Sequence, residues 1–445
     1  MPSLPLTRRS IFAQAWPIML GQATVPLVGL VDTIVIGRTG SAAALAGVAL
    51  GTTIINFTFW TFGFLRMGMT GMTAQAEGAG DTAEVRAMLA RGVMMGIVIG
   101  AILFALQVVI VPLAFALFAG GETLDAAARG YVAARFFGAP AGLAGFAIIG
   151  WLLGLGRTRA ALLLQVAMNC INIVLDILFV WHFGMGARGV GLGTAIAEWS
   201  ELLIGTVIAL KIAGPGTLAA LRAQGAGLFD RAALKRLFAV NADIMIRTIA
   251  LLFLFAWFAN AGARLGTVPL AANQVLMQFV SIAAFVLDGF AFTAESRIGM
   301  AIGAGSRERF RRAIRLTGEF SLSAGLVFAL VTLIGGGWGI AAITDNAAVR
   351  DHAEALLWFT ALVPLIGAPA WLLDGIFIGA TRGTALRNAA LLATALYVGT
   401  DLLLRPFGAP GMWVALLASY VFRALALGGY LPALTRSIAQ TPERS

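Results

Sequence analysis

The chain has 445 residues, of which 60% are hydrophobic and only 12% charged. Soluble domains carry roughly 25% charged residues, so this chain has too little polar surface to face water and reads as an all-α integral membrane protein. Its net charge of +10 does not point to nucleic acid, because the positive residues sit in loops between apolar runs, where they report topology. A single cysteine, Cys170, excludes an internal disulfide framework, and hydrophobicity that persists along the chain excludes an isolated signal peptide.

In chain order, the apolar runs predict about twelve helices, at roughly 11–37, 45–76, 91–118, 130–155, 160–182, 189–211, 237–260, 268–303, 313–343, 353–380, 385–405 and 412–435. A crossing of ~30 Å needs ~20 apolar residues. The first run holds "PLVGLVDTIVIG", with one carboxylate, Asp32, and two prolines, Pro17 and Pro26. Proline cannot donate the i→i−4 hydrogen bond, so this helix is able to kink. A helix that bends and also carries an ionisable group reads as a gate.

A charge in mid-span costs on the order of 2.5–3.5 kcal/mol and demands a reason. Asp32 lies six residues before Arg38, about 9 Å below the outer edge of its span. In the fifth span, Asp176 lies six residues before His182 at the same edge, and Asn172 is one helical turn away on the same face. In the sixth, Thr194 lies five residues after Gly189, where the chain re-enters. Two carboxylates, an amide and a hydroxyl are thus expected in one layer. Held close in low dielectric, the carboxylates disfavour double ionisation, so the pair can take up a proton; the same oxygens are alternatively ligands for Na⁺. No certain metal site and no cofactor follows. Glu198 and Glu201 read as lining a lobe interface or the lipid boundary. Asp243 and Arg247 of the seventh span, Asp288 of the eighth and Asp374 of the tenth share the cytoplasmic half of the later helices. Their opposite signs predict a neutralised network, structural or gating in role.

The chain also repeats itself. "GLGRTRAAL" at 154–162 resembles "GATRGTAL" at 379–386, a shift of 225 that also takes "GAG" at 78–80 to 303–305 and Asp176 to Asp401. The predicted organisation is an N-lobe (1–212), a linker (213–235) and a C-lobe (236–445). Six helices per lobe start both on the same side, which makes them parallel repeats, a design found in transporters that rock two halves around a central site. Repeat alignment sets Phe258 opposite Asp32, so the carboxylate pair is confined to the first lobe. Twenty of the 31 Lys and Arg fall on the side of the N-terminus and six on the other, which puts both termini in the cytoplasm.

"VPLVGLVDTIVIG", "FLRMGMTGMTAQAEGAGD", "NADIMIRT" and "LLDGIFIGATRGTALRN" resemble the multidrug and toxic compound extrusion (MATE) transporters, in their DNA-damage-inducible protein F branch. The likeness runs from about residue 10 to 435. It implies two six-helix lobes around a V-shaped cavity in the inner membrane. It also implies export of small organic, cationic and amphipathic compounds, driven by inward H⁺ or Na⁺. The family's coupling carboxylates fall on Asp32 and Asp176, with Asn172 and Thr194 as polar neighbours, and its bending proline on Pro17. A related branch uses a glutamate in the seventh helix, which is absent here, although Asp374 occupies the matching place in the tenth. A lipid-linked oligosaccharide flippase shares the architecture and is the rival reading. No Walker A motif, HExxH or DDxxD is present, so neither ATP-driven transport nor an enzyme is expected. H⁺ is favoured over Na⁺, and the chain is read as a monomer whose other partners are membrane lipids. Cysteines placed at residues 84, 224 and 308 should react only with reagent on the cytoplasmic side, and those at 124 and 348 only from outside. The reverse pattern would discard the charge-bias topology.

Overall fold

A computed structural model describes residues 6–39, 41–117 and 122–438. Among them every regular element is helical: α1 (Arg8–Gly37), α2 (Ala42–Trp60), α3 (Phe64–Gly78), α4 (Thr82–Leu117), α5 (Glu122–Phe137), α6 (Ala139–Gly154), α7 (Thr158–Ile177), α8 (Gly186–Ala213), α9 (Thr217–Gln224), α10 (Arg231–Arg264), α11 (Thr267–Gly303), α12 (Arg307–Ile343), α13 (Ala347–Gly379), α14 (Gly383–Leu404) and α15 (Gly408–Ser437). Large apolar side chains on these helices, such as Val108, Ile334, Trp338 and Leu403, are about three-quarters exposed. That is the surface a lipid solvent accepts and water does not.

Nine helical stretches among the described residues are long and apolar enough to cross a membrane, or up to eleven when two bent pairs each count once. One of the nine, Gly383–Ser437, is 55 residues long, far beyond the ~20 that one crossing needs. It is α14 and α15, joined by a 3₁₀ turn at Arg405–Phe407 and a left-handed Gly408, folded back on each other. Counted as two, it completes the expected twelve. The fourth span is bent by 52° between α5 and α6, where Pro140 opens the second helix and supplies no backbone N–H to continue the first. α1 runs helical through both Pro17 and Pro26.

The chain separates into two compact units. One comprises Leu20–Ala76 and Asp81–Leu237; the other comprises Phe238–Ser445 with Met1–Met19 and Glu77–Gly80. Ile11 and Ala15 of α1 are buried with Phe290 of α11 and Leu316 of α12, so the start of the first helix packs in the C-terminal unit.

Within each unit the helices pair in the same way. α4 packs on α6, α6 and α7 on α8, and α2 on α5; in the other unit α12 packs on α13, α13 and α14 on α15, and α11 on α13. The repeat reaches individual atoms. A Cβ on Gly150 or Gly154 of α6 would strike the backbone carbonyl of Arg66 or Thr70 on the second span. Exactly 225 positions on, Gly375 and Gly379 of α13 meet the carbonyls of Ala291 and Glu295 on α11 in the same way. Two glycines four apart lie on one helix face and let two backbones touch, which is how helices associate where no hydrophobic effect drives them together. Replacing Gly150 or Gly375 by Ala should cost roughly 1–3 kcal/mol of stability through overpacking, read as a lower melting temperature in detergent. Gly29→Ala, whose Cβ meets nothing within 4 Å, should not destabilise.

Candidate functional site

The N-terminal unit buries a polar layer built by α1, α5, α7 and α8. Two hydrogen bonds tie α1 to the fifth span: Asn169 Nδ2 donates to Thr24 Oγ1 at 2.8 Å, and Trp181 Nε1 donates to the Val35 carbonyl at 2.9 Å. Asp32 lies between these ties and is 9% exposed. The fifth helix passes into a π-helical turn at Leu178–His182, which begins two residues after Asp176. Such turns recur at functional sites because they rotate the following side chains out of register, and here the turn delivers Trp181 to α1.

Asn172 and Asp176, one turn apart, have no solvent exposure. Asn172 Nδ2 donates to Asp176 Oδ2 at 3.2 Å and to Thr194 Oγ1 at 3.1 Å. The Thr194 hydroxyl spends its own proton on the Val190 carbonyl at 3.0 Å, which leaves its lone pairs for the amide. Asp176 Oδ1 lies where a Cβ on residue 193 would be, so Gly193, directly before Thr194, is required for the carboxylate to seat against α8. The Asp32 and Asp176 carboxyls face each other within hydrogen-bonding reach. The structure therefore brings Asp32, Asn172, Asp176 and Thr194 together. Asp32 Oδ1, Asp176 Oδ1 and Asn172 Oδ1 are buried acceptors with no hydrogen-bond partner among the described residues.

Two further charges belong to this layer. Arg135 of α5, also buried, acts electrostatically on both Asp32 and Asp176 and pairs with Glu198 of α8 at 2.8 Å. Glu198 packs against the α-carbon positions of Gly138 and Gly142, and Glu201 against Gly145. Both glutamates are buried inside the unit, 7% and 8% exposed, which excludes the lipid boundary, one of the two placements expected for them. The depth rule already contained Arg135: it lies five residues into the fourth predicted span from the outside, the same depth as Thr194. Glu198 is one turn below Thr194 on the same helix face. Their partnership was not legible because it joins helices 63 residues apart.

The expected charge network of the C-terminal unit is divided. Arg247 of α10 forms an ion pair with Asp374 of α13, with Arg423 of α15 at 3.7 Å from the same carboxylate. Asp243 turns elsewhere, to Arg387 at 2.7 Å and the Thr384 hydroxyl at 2.9 Å. Asp288 lies half-buried on α11. Phe258, set opposite Asp32 by the repeat, is buried edge-on against Trp413 with ring centroids 5.2 Å apart. Asp401, the counterpart of Asp176, accepts from Trp257 at 2.9 Å and pairs with Arg264 at 3.3 Å. Of the proline pair, Pro17 is buried and Pro26 exposed. Removing one partner of a buried ion pair costs roughly 3–5 kcal/mol, because it strands the other charge. Arg135→Gln should therefore lower the melting temperature sharply, and Arg135→Gln with Glu198→Gln should recover most of the loss. Additive losses in that double-mutant cycle would show that the pair is not coupled.

The comparisons agree with the fold and its internal repeat. The MatE family model matches residues 17–178 and 244–403, two stretches whose starts lie 227 and ends 225 residues apart, as the internal repeat requires. DNA damage-inducible protein F of Escherichia coli K12 is 36% identical over 427 residues, covering 96% of this chain and 92% of that protein. The fold superposes on the bent form of the Vibrio cholerae MATE transporter VcmN with a TM-score of 0.85, 18% identity and 97% of each chain covered. It also superposes on a MOP superfamily transporter from Pyrococcus furiosus with a TM-score of 0.84, 16% identity and 96% of each chain covered. The chain thus belongs to the MATE family and is an integral multi-pass membrane transporter, not an enzyme.

Proposed function

We propose that the chain exports small organic cations across the inner membrane in exchange for inward-moving H⁺, by alternating access of two lobes, 1–212 and 236–445, joined by 213–235. The termini are cytoplasmic in this reading. One observation carries it: the carboxyls of Asp32 and Asp176 meet in a buried layer with Asn172 and Thr194 around them. Two ionised carboxylates this close repel each other, so one proton between them relieves the repulsion. The layer and its surroundings contain four carboxyls, Asp32, Asp176, Glu198 and Glu201, against one guanidinium, Arg135. Fully ionised, it is negative and attracts a cationic cargo; protonated, it loses that attraction. Proton and cargo then compete for one set of oxygens, which is the differential affinity an exchanger needs. Pro17 and Pro26 weaken the backbone ladder of the helix that carries Asp32, so protonation and bending act on the same element.

Na⁺ is the second reading, favoured by the unpartnered oxygens of Asp32, Asp176 and Asn172, which suit a hard cation. The positive charge of Arg135 next to both carboxylates opposes a metal ion and a proton alike, so it does not separate the two. H⁺ is favoured because a proton needs only one carboxylate, whereas Na⁺ would need further backbone or water oxygens beside these four side chains. The C-terminal cluster around Asp374, with Arg247 and Arg423, has cationic excess and serves a structural or gating role. Proteoliposomes given a pH gradient or a Na⁺ gradient separately decide between the ions. Efflux of a cationic dye should follow the pH gradient and fall at least about tenfold in Asp32→Asn and Asp176→Asn, which keep shape but not titration. Dye binding to purified protein should weaken as pH falls, and Asp32→Asn should flatten that slope. Transport driven by Na⁺ alone, with binding indifferent to pH, would overturn the H⁺ reading.

A further inference from the structure

The cytoplasm-facing ends of α1 and α12, as the charge bias orients them, line an open cavity of about 780 Å³. Its wall carries five guanidiniums, Arg8 and Arg9 from the first turn of α1 and Arg311, Arg312 and Arg315 from α12, with Leu316 between them. A second hollow of about 460 Å³ shares Arg311 and adds Arg436 of α15. The volume lies in the range of small-ligand sites, about 300–1,000 Å³.

The charges are poorly balanced from within. Glu319 takes two of them, Arg8 at 2.9 Å and Arg315 at 3.1 Å. Arg9, Arg311 and Arg312 have no carboxylate within ion-pair distance among the described residues, although Glu308 also lines the cavity. The positive-inside rule explains why arginines are on this side of the membrane, but it does not require them to converge on one hollow from two helices. Other arginines of the same stretch do not: Arg307 turns away to the carbonyls of Arg436 and Ile438 at 2.8 and 2.9 Å, and Arg309 lies exposed outside the cavity. The planar fork of each guanidinium fits phosphate oxygens two at a time.

What continues from the cavity selects the kind of phosphate. Arg311, Arg315, Leu322 and Leu326 follow at steps of four, seven and four, so they form one stripe along α12. Leu322 and Leu326 are 48% and 49% exposed, in the part of the helix that crosses the bilayer. Phe12 of α1, 52% exposed, leans on Phe320 of α12 with ring centroids 6.2 Å apart. A guanidinium cluster at the water edge followed along the same face by bare apolar side chains has the polarity of a phospholipid standing in its leaflet. We propose that this cavity binds the phosphate headgroup of an anionic phospholipid, with its acyl chains along the Leu322–Leu326 stripe.

The test uses full-length purified protein in detergent, with native mass spectrometry to count bound lipid. Palmitoyl-oleoyl phosphatidylglycerol should be retained about tenfold more strongly than the phosphatidylcholine of the same chains. That preference should fall roughly tenfold or more in Arg311→Gln/Arg312→Gln, given the energy of each basic side chain near an anionic headgroup. Arg309→Gln removes the same kind of charge from the same helix outside the cavity and should leave the preference unchanged. Arg9→Gln tests the α1 side alone and should weaken it about threefold, so the proposal stays testable if the double variant does not fold. An equal loss in Arg309→Gln would show diffuse surface charge and overturn the site. Equal retention of the two lipids, with inorganic phosphate protecting the protein against heat at the same arginines, would mark a free-phosphate site and overturn the lipid.

Discussion

The cost of placing charge in hydrocarbon governs this molecule. A lone ionised carboxylate in the bilayer is expensive, yet the N-terminal unit buries Asp32, Asp176 and Glu198 with one guanidinium among them. The cost is met by two devices seen together: the Arg135–Glu198 ion pair and the Asn172 amide that bridges Asp176 and Thr194. The arrangement works only if α1, α5, α7 and α8 are held within a few tenths of an ångström. Gly193 against Asp176 and Gly138 and Gly142 against Glu198 provide that tolerance, since each is a place where a side chain would displace a carboxylate.

The two units apply one packing scheme to opposite chemistries. Gly150 and Gly154 repeat as Gly375 and Gly379, each against a carbonyl of the neighbouring span. Asp81 and Ser306, also 225 apart, both cap the following helix, accepting from Glu84 and Arg309 backbone N–H groups. The side chains facing the core diverge. Where the N-terminal unit has Asp32 and Glu198, the C-terminal unit has Phe258 and Arg423. Asp401 occupies the place of Asp176, but Trp257, Arg264 and Arg405 surround it. A duplicated backbone thus carries a layer with surplus negative charge in one copy and carboxylates held by arginines in the other.

Arginine serves three separate purposes here, set by depth. In loops it orients the chain. Inside the units it neutralises carboxylates, as Arg135 and Arg247 do. At the ends of α1 and α12 it gathers around a hollow with too few carboxylates to balance it. Sequence position distinguishes the first use from the second, because a span and a loop differ in hydropathy. It does not separate the third, since convergence is a property of two helices side by side.

Local information was sufficient for much of this protein. Hydropathy determined the spans, because a bilayer demands about 20 apolar residues whatever the neighbours do. The constant shift of 225 determined the duplication. Counting residues from a span edge placed Asp32, Asp176, Asn172 and Thr194 in one layer, since the helical rise converts position into depth. Depth, however, leaves the angle around the bundle open. Only tertiary structure decided that Asp32 faces Asp176, that Arg135 and Glu198 pair beside them, and that Asp243 leaves Arg247 for Arg387. Ion-pair choice depends on how each helix is rotated about its own axis, through distances of a few ångströms between helices far apart in the chain, and sequence position does not set that rotation.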